Sequence, residues 1–164
     1  MKSLLHFLIV IILLPISACG QKTDSLDEEL KTLYKRTVPL IQMEKAARAS
    51  SATFLDTREP EEFEVSHLPK ARNVGYDDFK LSSVSNISKQ DTIIVYCSVG
   101  YRSERIGEQL QKAGFKHVFN LYGGIFNWKN RDGKILDASG KPTEKVHTYN
   151  KDWSRFLKKG EKVF

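Results

Sequence analysis

The chain has 164 residues, 40% hydrophobic and 28% charged, which is enough for one ordinary core and hardly for two. Its net charge of +6 is spread along the sequence. No basic stripe with interleaved aromatics stands out, so no nucleic-acid partner is expected; small anions and anionic membrane surfaces are the electrostatic expectation. His67, His117 and His147 each lack a second His or Cys at ligand spacing, so neither a metal nor a cofactor is expected.

Taken in order, residues 1–18 read as a signal peptide. Met1-Lys2 gives a positive start, and Leu4 to Pro15 is an almost unbroken apolar run. That run is short of the ~20 residues a membrane span needs and suits a signal-peptide core. Ile16-Ser17-Ala18-Cys19 resembles the lipobox of bacterial lipoproteins. The resemblance implies lipidation of Cys19 and a membrane contact through that lipid. The implied place is the bacterial cell envelope, lipid-anchored and periplasm-facing; an ordinary secretory signal and an uncleaved anchor are the alternatives. Residues 19–25 are small and polar and form a tether. Residues 26–42 are an N-terminal helical segment: Leu26, Leu30 and Leu33 share a face, and Asp27, Glu28 and Glu29 suit its first turn. A second short helix is expected from Ile41 to Ala49, leading into a domain over 43–133.

Within that domain, Ala52 to Leu55 is a short strand ending at Asp56, and Pro60 opens a helix. Tyr76 to Val84 is helical or irregular. Thr92 to Tyr96 is β-branched and aromatic without alternation, as in a parallel strand covered on both faces. From Ser103 the spacing turns helical, with Ile106, Leu110 and Ala113 on one face and Gly114 as the stop. His117 to Leu121 is the next strand, Gly123-Gly124 a turn, and Ile125 to Lys129 a short helix whose Trp128 is a packing anchor. Residues 134–164 form a C-terminal tail in which Trp153, Phe156 and Leu157 share a helical face suited to docking on the domain. The tail's function is open.

The chemistry lies between strand and helix, at Cys97-Ser98-Val99-Gly100-Tyr101-Arg102-Ser103. A strand feeding a helix through a tight loop gathers backbone N–H groups at the positive end of the helix dipole. A cysteine at that spot is favoured as thiolate. Gly100 allows a backbone conformation that a Cβ would hinder, and Arg102 adds a fixed cation. An isolated cysteine is more often a buried structural one. The glycine, the arginine and the following helix together favour a nucleophile cradled by an anion-binding loop.

Cys97 to Ser103 resembles the active-site loop of single-domain rhodaneses, sulfurtransferases that carry sulfur as a cysteine persulfide. The resemblance continues in Phe54-Leu55-Asp56-Thr57-Arg58-Glu59-Pro60-Glu61-Glu62-Phe63, in His67-Leu68-Pro69-Lys70-Ala71 and in Leu121-Tyr122-Gly123-Gly124-Ile125-Phe126-Asn127-Trp128. Lys70 stands where the family usually has glycine. The resemblance implies an α/β fold, a short, mostly parallel sheet with helices on both faces. It also implies that Asp56 and Arg58 lie beside the loop and hold its shape, with a plain cap or turn role for Asp56 as the alternative.

The implied activity is two-step transfer. Cys97 takes the outer sulfur of a small anionic donor, thiosulfate or a polysulfide, and passes it to a thiol, cyanide or a protein sulfur acceptor. Backbone N–H groups from Ser98 through Ser103 would stabilise the persulfide. Arg102 would either attract the donor or brace the loop, and Tyr101 would line the entrance. Cysteine phosphatases place five residues between cysteine and arginine; here Ser98, Val99, Gly100 and Tyr101 make a smaller loop, so phosphatase is the lesser reading. An envelope-tethered binding or persulfide-carrier module without efficient turnover is the main alternative.

Overall fold

The computed structural model describes residues 25–164. The signal peptide, Cys19 and nearly all of the tether lie outside the described residues. No helix of the described residues is long and apolar enough to cross a membrane.

The architecture is a parallel sheet with helices on both faces. In chain order it runs α1 (Leu26–Leu33), β1 (Leu40–Ile41), α2 (Met43–Arg48), β2 (Thr53–Asp56), α3 (Pro60–Val65), β3 (Arg72–Asn73), β4 (Thr92–Tyr96), α4 (Tyr101–Lys112), β5 (His117–Leu121), α5 (Gly124–Asn130), β6 (Lys145–His147), α6 (Lys151–Ser154) and β7 (Glu161–Val163). A single 3-10 turn, Leu81–Val84, interrupts the irregular link between β3 and β4. The five-stranded sheet has the order β1-β5-β4-β2-β3, and every pairing in it is parallel. A parallel pair requires a crossover, and the crossovers cover both faces.

β4 is the middle strand and explains why its sequence does not alternate. Ile94 and Tyr96 enter one core with Leu30, Phe126 and Phe156, while Ile93 and Val95 enter the other with Ile106, Leu110 and Val118. Successive side chains point to opposite faces, and both faces are dry. The carboxyl end of β4 is where the loop with Cys97 begins.

Several boundaries differ from the sequence reading. α1 ends at Leu33, well short of the 26–42 segment, because Tyr34 is already extended at φ −84° and ψ 132°. The segment read as a helix from Ile41 begins with β1, paired with β5, and its helix spans only Met43–Arg48. α4 starts at Tyr101, two residues earlier than the apolar spacing indicates, because Gly100 at φ 100° supplies the cap. Lys70, at the position of the family's glycine, takes a left-handed φ of 63°. His67 donates its amide to Leu136 and stacks on Phe63 with ring centroids 4.0 Å apart.

The tail docks, though not as one helix. Only Trp153 lies in α6; Phe156 and Leu157 follow in a turn and are buried in the core with Val146. β6 and β7 form a separate two-stranded parallel sheet, and β6 packs on α3. The N-terminal segment likewise sends Leu30, Tyr34, Val38 and Ile41 into the two cores. Residues on either side of 43–133 therefore share its packing.

Candidate active site

Cys97 follows β4 directly and is 1% exposed, yet it lines a cleft of about 470 Å³. Gly100 donates its backbone N–H to Cys97 Sγ at 3.1 Å. The first-turn amides of α4 emerge at the same end and have no intrahelical acceptors. Loop and helix together present donors and a positive dipole end to the sulfur. Gly100 is required twice: its φ is left-handed, and a Cβ there would overlap Tyr34 Oη.

The loop is braced from every side. Tyr34 donates its hydroxyl to the Val99 carbonyl at 2.6 Å and accepts the Gly123 N–H at 2.9 Å, which links α1, the loop and α5. Burial pushes the Tyr34 pKa well up, outweighing the Gly123 hydrogen bond, so the hydroxyl stays protonated. Asn120, wholly buried in β5, donates to the Gly100 carbonyl at 2.9 Å and accepts from Ser103 Oγ at 2.7 Å. The amides of Ile125 and Phe126 reach the carbonyls of Cys97 and Ser98 at 2.9 and 3.1 Å. Such close approach needs Gly124, because a Cβ there would collide with the Cys97 carbonyl oxygen.

Arg102 does not stand free in the cleft. Its guanidinium forms a fork on Glu62, with Nη1–Oε2 at 2.7 Å and Nη2–Oε1 at 2.8 Å, and Nη2 also reaches Ser98 Oγ at 3.2 Å. Ser98 Oγ donates in turn to Glu62 Oε1 at 3.2 Å. Burial pushes the Glu62 carboxyl up, but the hydrogen bonds and charge of Arg102, with help from Arg58, leave its pKa below the ordinary carboxylate value. The fork suits the bracing role, while Arg102 also interacts with Cys97 by charge and by a side-chain hydrogen bond, so its cation stays beside the sulfur.

Asp56 and Arg58 sit one step deeper. Both are fully buried, and Arg58 binds Asp56 through Nε at 3.0 Å and Nη2 at 2.6 Å while Nη2 also donates to the Ser66 carbonyl at 2.6 Å. They tie the end of β2 to the end of α3, the helix that carries Glu62, and thus meet the loop through Glu62. Asp56 is also the register partner of Tyr96, the residue before Cys97.

Of the loop residues named from the sequence, Cys97, Ser98, Val99, Tyr101 and Arg102 line the cleft. Ser103 does not: its hydroxyl is wholly buried on Asn120. The sequence reading missed Glu62, Tyr34 and Asn120 as loop braces. It also missed Leu33, Glu59, Tyr76, Asp77, Tyr149 and Trp153 as cleft residues. Glu59 and Asp77 bring negative charge to the rim. Among the described residues no cluster of three or more His, Cys, Asp or Glu could hold a metal ion.

Known proteins resemble this chain in sequence and in fold. The chain is 32% identical over 105 residues to YqhL, an uncharacterized protein of Bacillus subtilis (strain 168), covering 63% of this chain and 80% of that one. It is 29% identical over 99 residues to YrkF, a putative sulfur carrier protein of the same organism, covering 58% of this chain and 53% of that one. The chain thus spans about half the length of YrkF. Among solved structures, the thiosulfate sulfurtransferase of Pseudomonas aeruginosa superposes with a TM-score of 0.56 at 21% identity, covering 72% of this chain and 23% of that one, a likeness of fold. The rhodanese-like domain profile matches residues 40–131, from β1 through α5, and with it the whole loop around Cys97. More than half of the sequence falls inside that match, so the chain belongs to the rhodanese-like domain family.

Proposed function

We propose that this protein is a sulfurtransferase that moves sulfane sulfur through a persulfide on Cys97. The observation that carries the reading is the Gly100 N–H aimed at Cys97 Sγ from the cap of α4, with Cys97 lining a cleft. The Cys97 thiolate attacks the outer sulfur of thiosulfate. The donor's S–S bond breaks, its electron pair leaves with sulfite, and Cys97 carries S–S⁻. The new terminal sulfur stands about 2 Å beyond Sγ, still within the field of the loop amides. A thiol or cyanide then attacks that sulfur and frees the Cys97 thiolate. A polysulfide donor loses its terminal sulfur by the same displacement.

Arg102 serves this chemistry by holding the loop in shape through Glu62, and Asp56 and Arg58 by fixing α3. A carrier module that loads sulfur and releases it efficiently only to a protein partner is the second reading. It draws support from the likeness to a putative sulfur carrier protein. For placement, we propose removal of residues 1–18 and lipid attachment at Cys19, which would hold the domain at the cell envelope. The Cys19→Ala variant should then leave the membrane fraction, and equal retention would contradict the anchor.

Turnover tests the function. With thiosulfate and cyanide, the full-length protein should form thiocyanate, and Cys97→Ser should form none above background. Rapid loading with slow thiocyanate release would favour the carrier reading. Undiminished turnover by Cys97→Ser would contradict both.

A further inference from the structure

We infer that the C-terminal segment makes this cleft selective for organic sulfane-sulfur donors, with Tyr149 and Trp153 receiving the donor's apolar or aromatic carbon group. The inference rests on the sulfur-transfer reading of Cys97 and names its substrate class.

Size comes first. At about 470 Å³ the cleft falls in the range of pockets that hold drug-sized organic ligands, far more than an ion as small as thiosulfate fills. Charge comes second. The Arg102 charge is already shared between its fork on Glu62 and the Cys97 sulfur, while Glu59 and Asp77 bring negative charge to the same cleft, a less favourable approach for a dianion than for a donor with a single charge. The lining beyond the loop is largely carbon, with Leu33 from α1 and Tyr149 and Trp153 from the tail. Such a wall favours a donor with an apolar body and a single charge at its sulfur end.

The two aromatic residues are held in place rather than merely nearby. Tyr149 has φ 65°, a left-handed conformation that a bulky side chain rarely adopts and that asparagine or glycine would take with less strain. Its amide donates to His147 Nδ1 at 3.2 Å, its side chain is largely exposed, and its ring lies 5.5 Å from the Arg102 guanidinium carbon. Core packing does not account for an exposed ring on a strained backbone; closing one side of the cleft does. Trp153 is pinned by its amide on Asn150 Oδ1 at 3.1 Å and by its ring against the fully buried Phe156, 5.6 Å between centroids. Both residues lie outside the family match at 40–131, so this wall is added to the domain by the chain that follows it.

The step is balanced without any further reagent. With a thiosulfonate, R–SO₂–S⁻, the Cys97 thiolate attacks the outer sulfur, the S–S bond breaks, and the electron pair leaves with the sulfinate R–SO₂⁻. With an organic persulfide, R–S–S⁻, the leaving group is the thiolate R–S⁻. Cys97–S–S⁻ is the product in both cases.

The test compares benzenethiosulfonate with methanethiosulfonate on the full-length protein, with cyanide as common acceptor and each rate corrected for the donor's reactivity toward a free thiol. In a two-step exchange, kcat/KM for the donor reports the loading step. The corrected phenyl-to-methyl ratio should exceed about 10, the discrimination an apolar pocket gives for a larger carbon group. It should fall at least about threefold in Tyr149→Asn, which suits the left-handed backbone, and again in Trp153→Leu. The ratio divides out any general loss of folding or of Cys97 reactivity. A wild-type ratio near unity, or a high ratio that survives both variants, would overturn the selectivity while leaving sulfur transfer intact. Failure of thiosulfate and both thiosulfonates to load Cys97 would overturn sulfur transfer as well.

Discussion

The cleft has a floor and a wall that are built in opposite ways. Around Cys97, on the floor, backbone and side-chain groups are tied by buried partners: Tyr34, Asn120, Glu62 and the amides of Ile125 and Phe126. The wall at Tyr149 and Trp153 is exposed or half-exposed, strained at one backbone position and fastened to the core through its neighbours Val146, Phe156 and Leu157. A buried network tolerates little change because each lost partner strands another polar group. An exposed aromatic wall can change at small cost to the fold. Reaction chemistry is thereby separated from substrate choice: the floor fixes the sulfur, and the wall can vary around it.

The largest effect is expected at the Arg102 fork. Glu62→Ala leaves the Arg102 charge without its partner, and Arg102 is only 15% exposed. Urea unfolding should show a loss of about 3 kcal/mol, the lower end of the range for breaking a buried pair because some water reaches Arg102. A loss below about 1 kcal/mol, as for a surface pair, would show that the floor does not depend on this brace. The same pair sets a pH dependence. Glu62 is an acid whose folded pKa is depressed, so its contribution is fully present above its ordinary value of 4.5 and is lost as pH falls below that toward the folded value. Glu62→Gln should flatten the stability curve below about pH 4.5, whereas an unchanged slope would remove Glu62 from the acid response.

Next comes Gly124→Ala. The added Cβ meets the Cys97 carbonyl, and moving α5 away sacrifices two loop hydrogen bonds. A cost of about 2–3 kcal/mol is expected in thermal or urea unfolding. Gly114→Ala is the control: its φ is also left-handed at 93°, but a Cβ there meets nothing within 4 Å. It should cost only the backbone strain, about 1 kcal/mol. Equal losses at both positions would mean that contact with the loop is unimportant. Tyr34→Phe removes a bond to Val99 and one from Gly123, for about 1–2 kcal/mol. The smallest change should come from the wall. Tyr149→Asn should lie within about 0.5 kcal/mol of wild type, since the ring is exposed and asparagine tolerates the backbone. A loss comparable to that of Tyr34→Phe would merge wall and floor into one structural unit.

How much of this was readable followed the sequence distance over which each feature acts. The unit β4, loop and α4 was legible because its signals are local: an apolar run without alternation, then Gly100, then helical spacing to Gly114. The start of α4 was misread because Tyr101 and Arg102 carry no apolar periodicity; the cap at Gly100 decides it. β1 and β3 escaped because two-residue strands have no measurable pattern, and their pairing comes from tertiary position. The partner of Arg102 escaped for a related reason. Glu62 lies 40 positions upstream, in the first turn of α3, where an acidic residue is already explained by the helix dipole. Trp153, Phe156 and Leu157 were visible as a docking face, but nothing local says that their docking brings Tyr149 to Arg102.

Sulfur transfer through Cys97 is tested most directly by the intact mass of the full-length protein after exposure to thiosulfate, to a polysulfide or to a thiosulfonate, with Cys97→Ser beside it. A gain of one sulfur atom from at least one donor is expected, removable by a reductant and absent from the Cys97→Ser variant. A folded protein with a free Cys97 thiol that gains no sulfur from thiosulfate, from a polysulfide or from a thiosulfonate would contradict sulfur transfer.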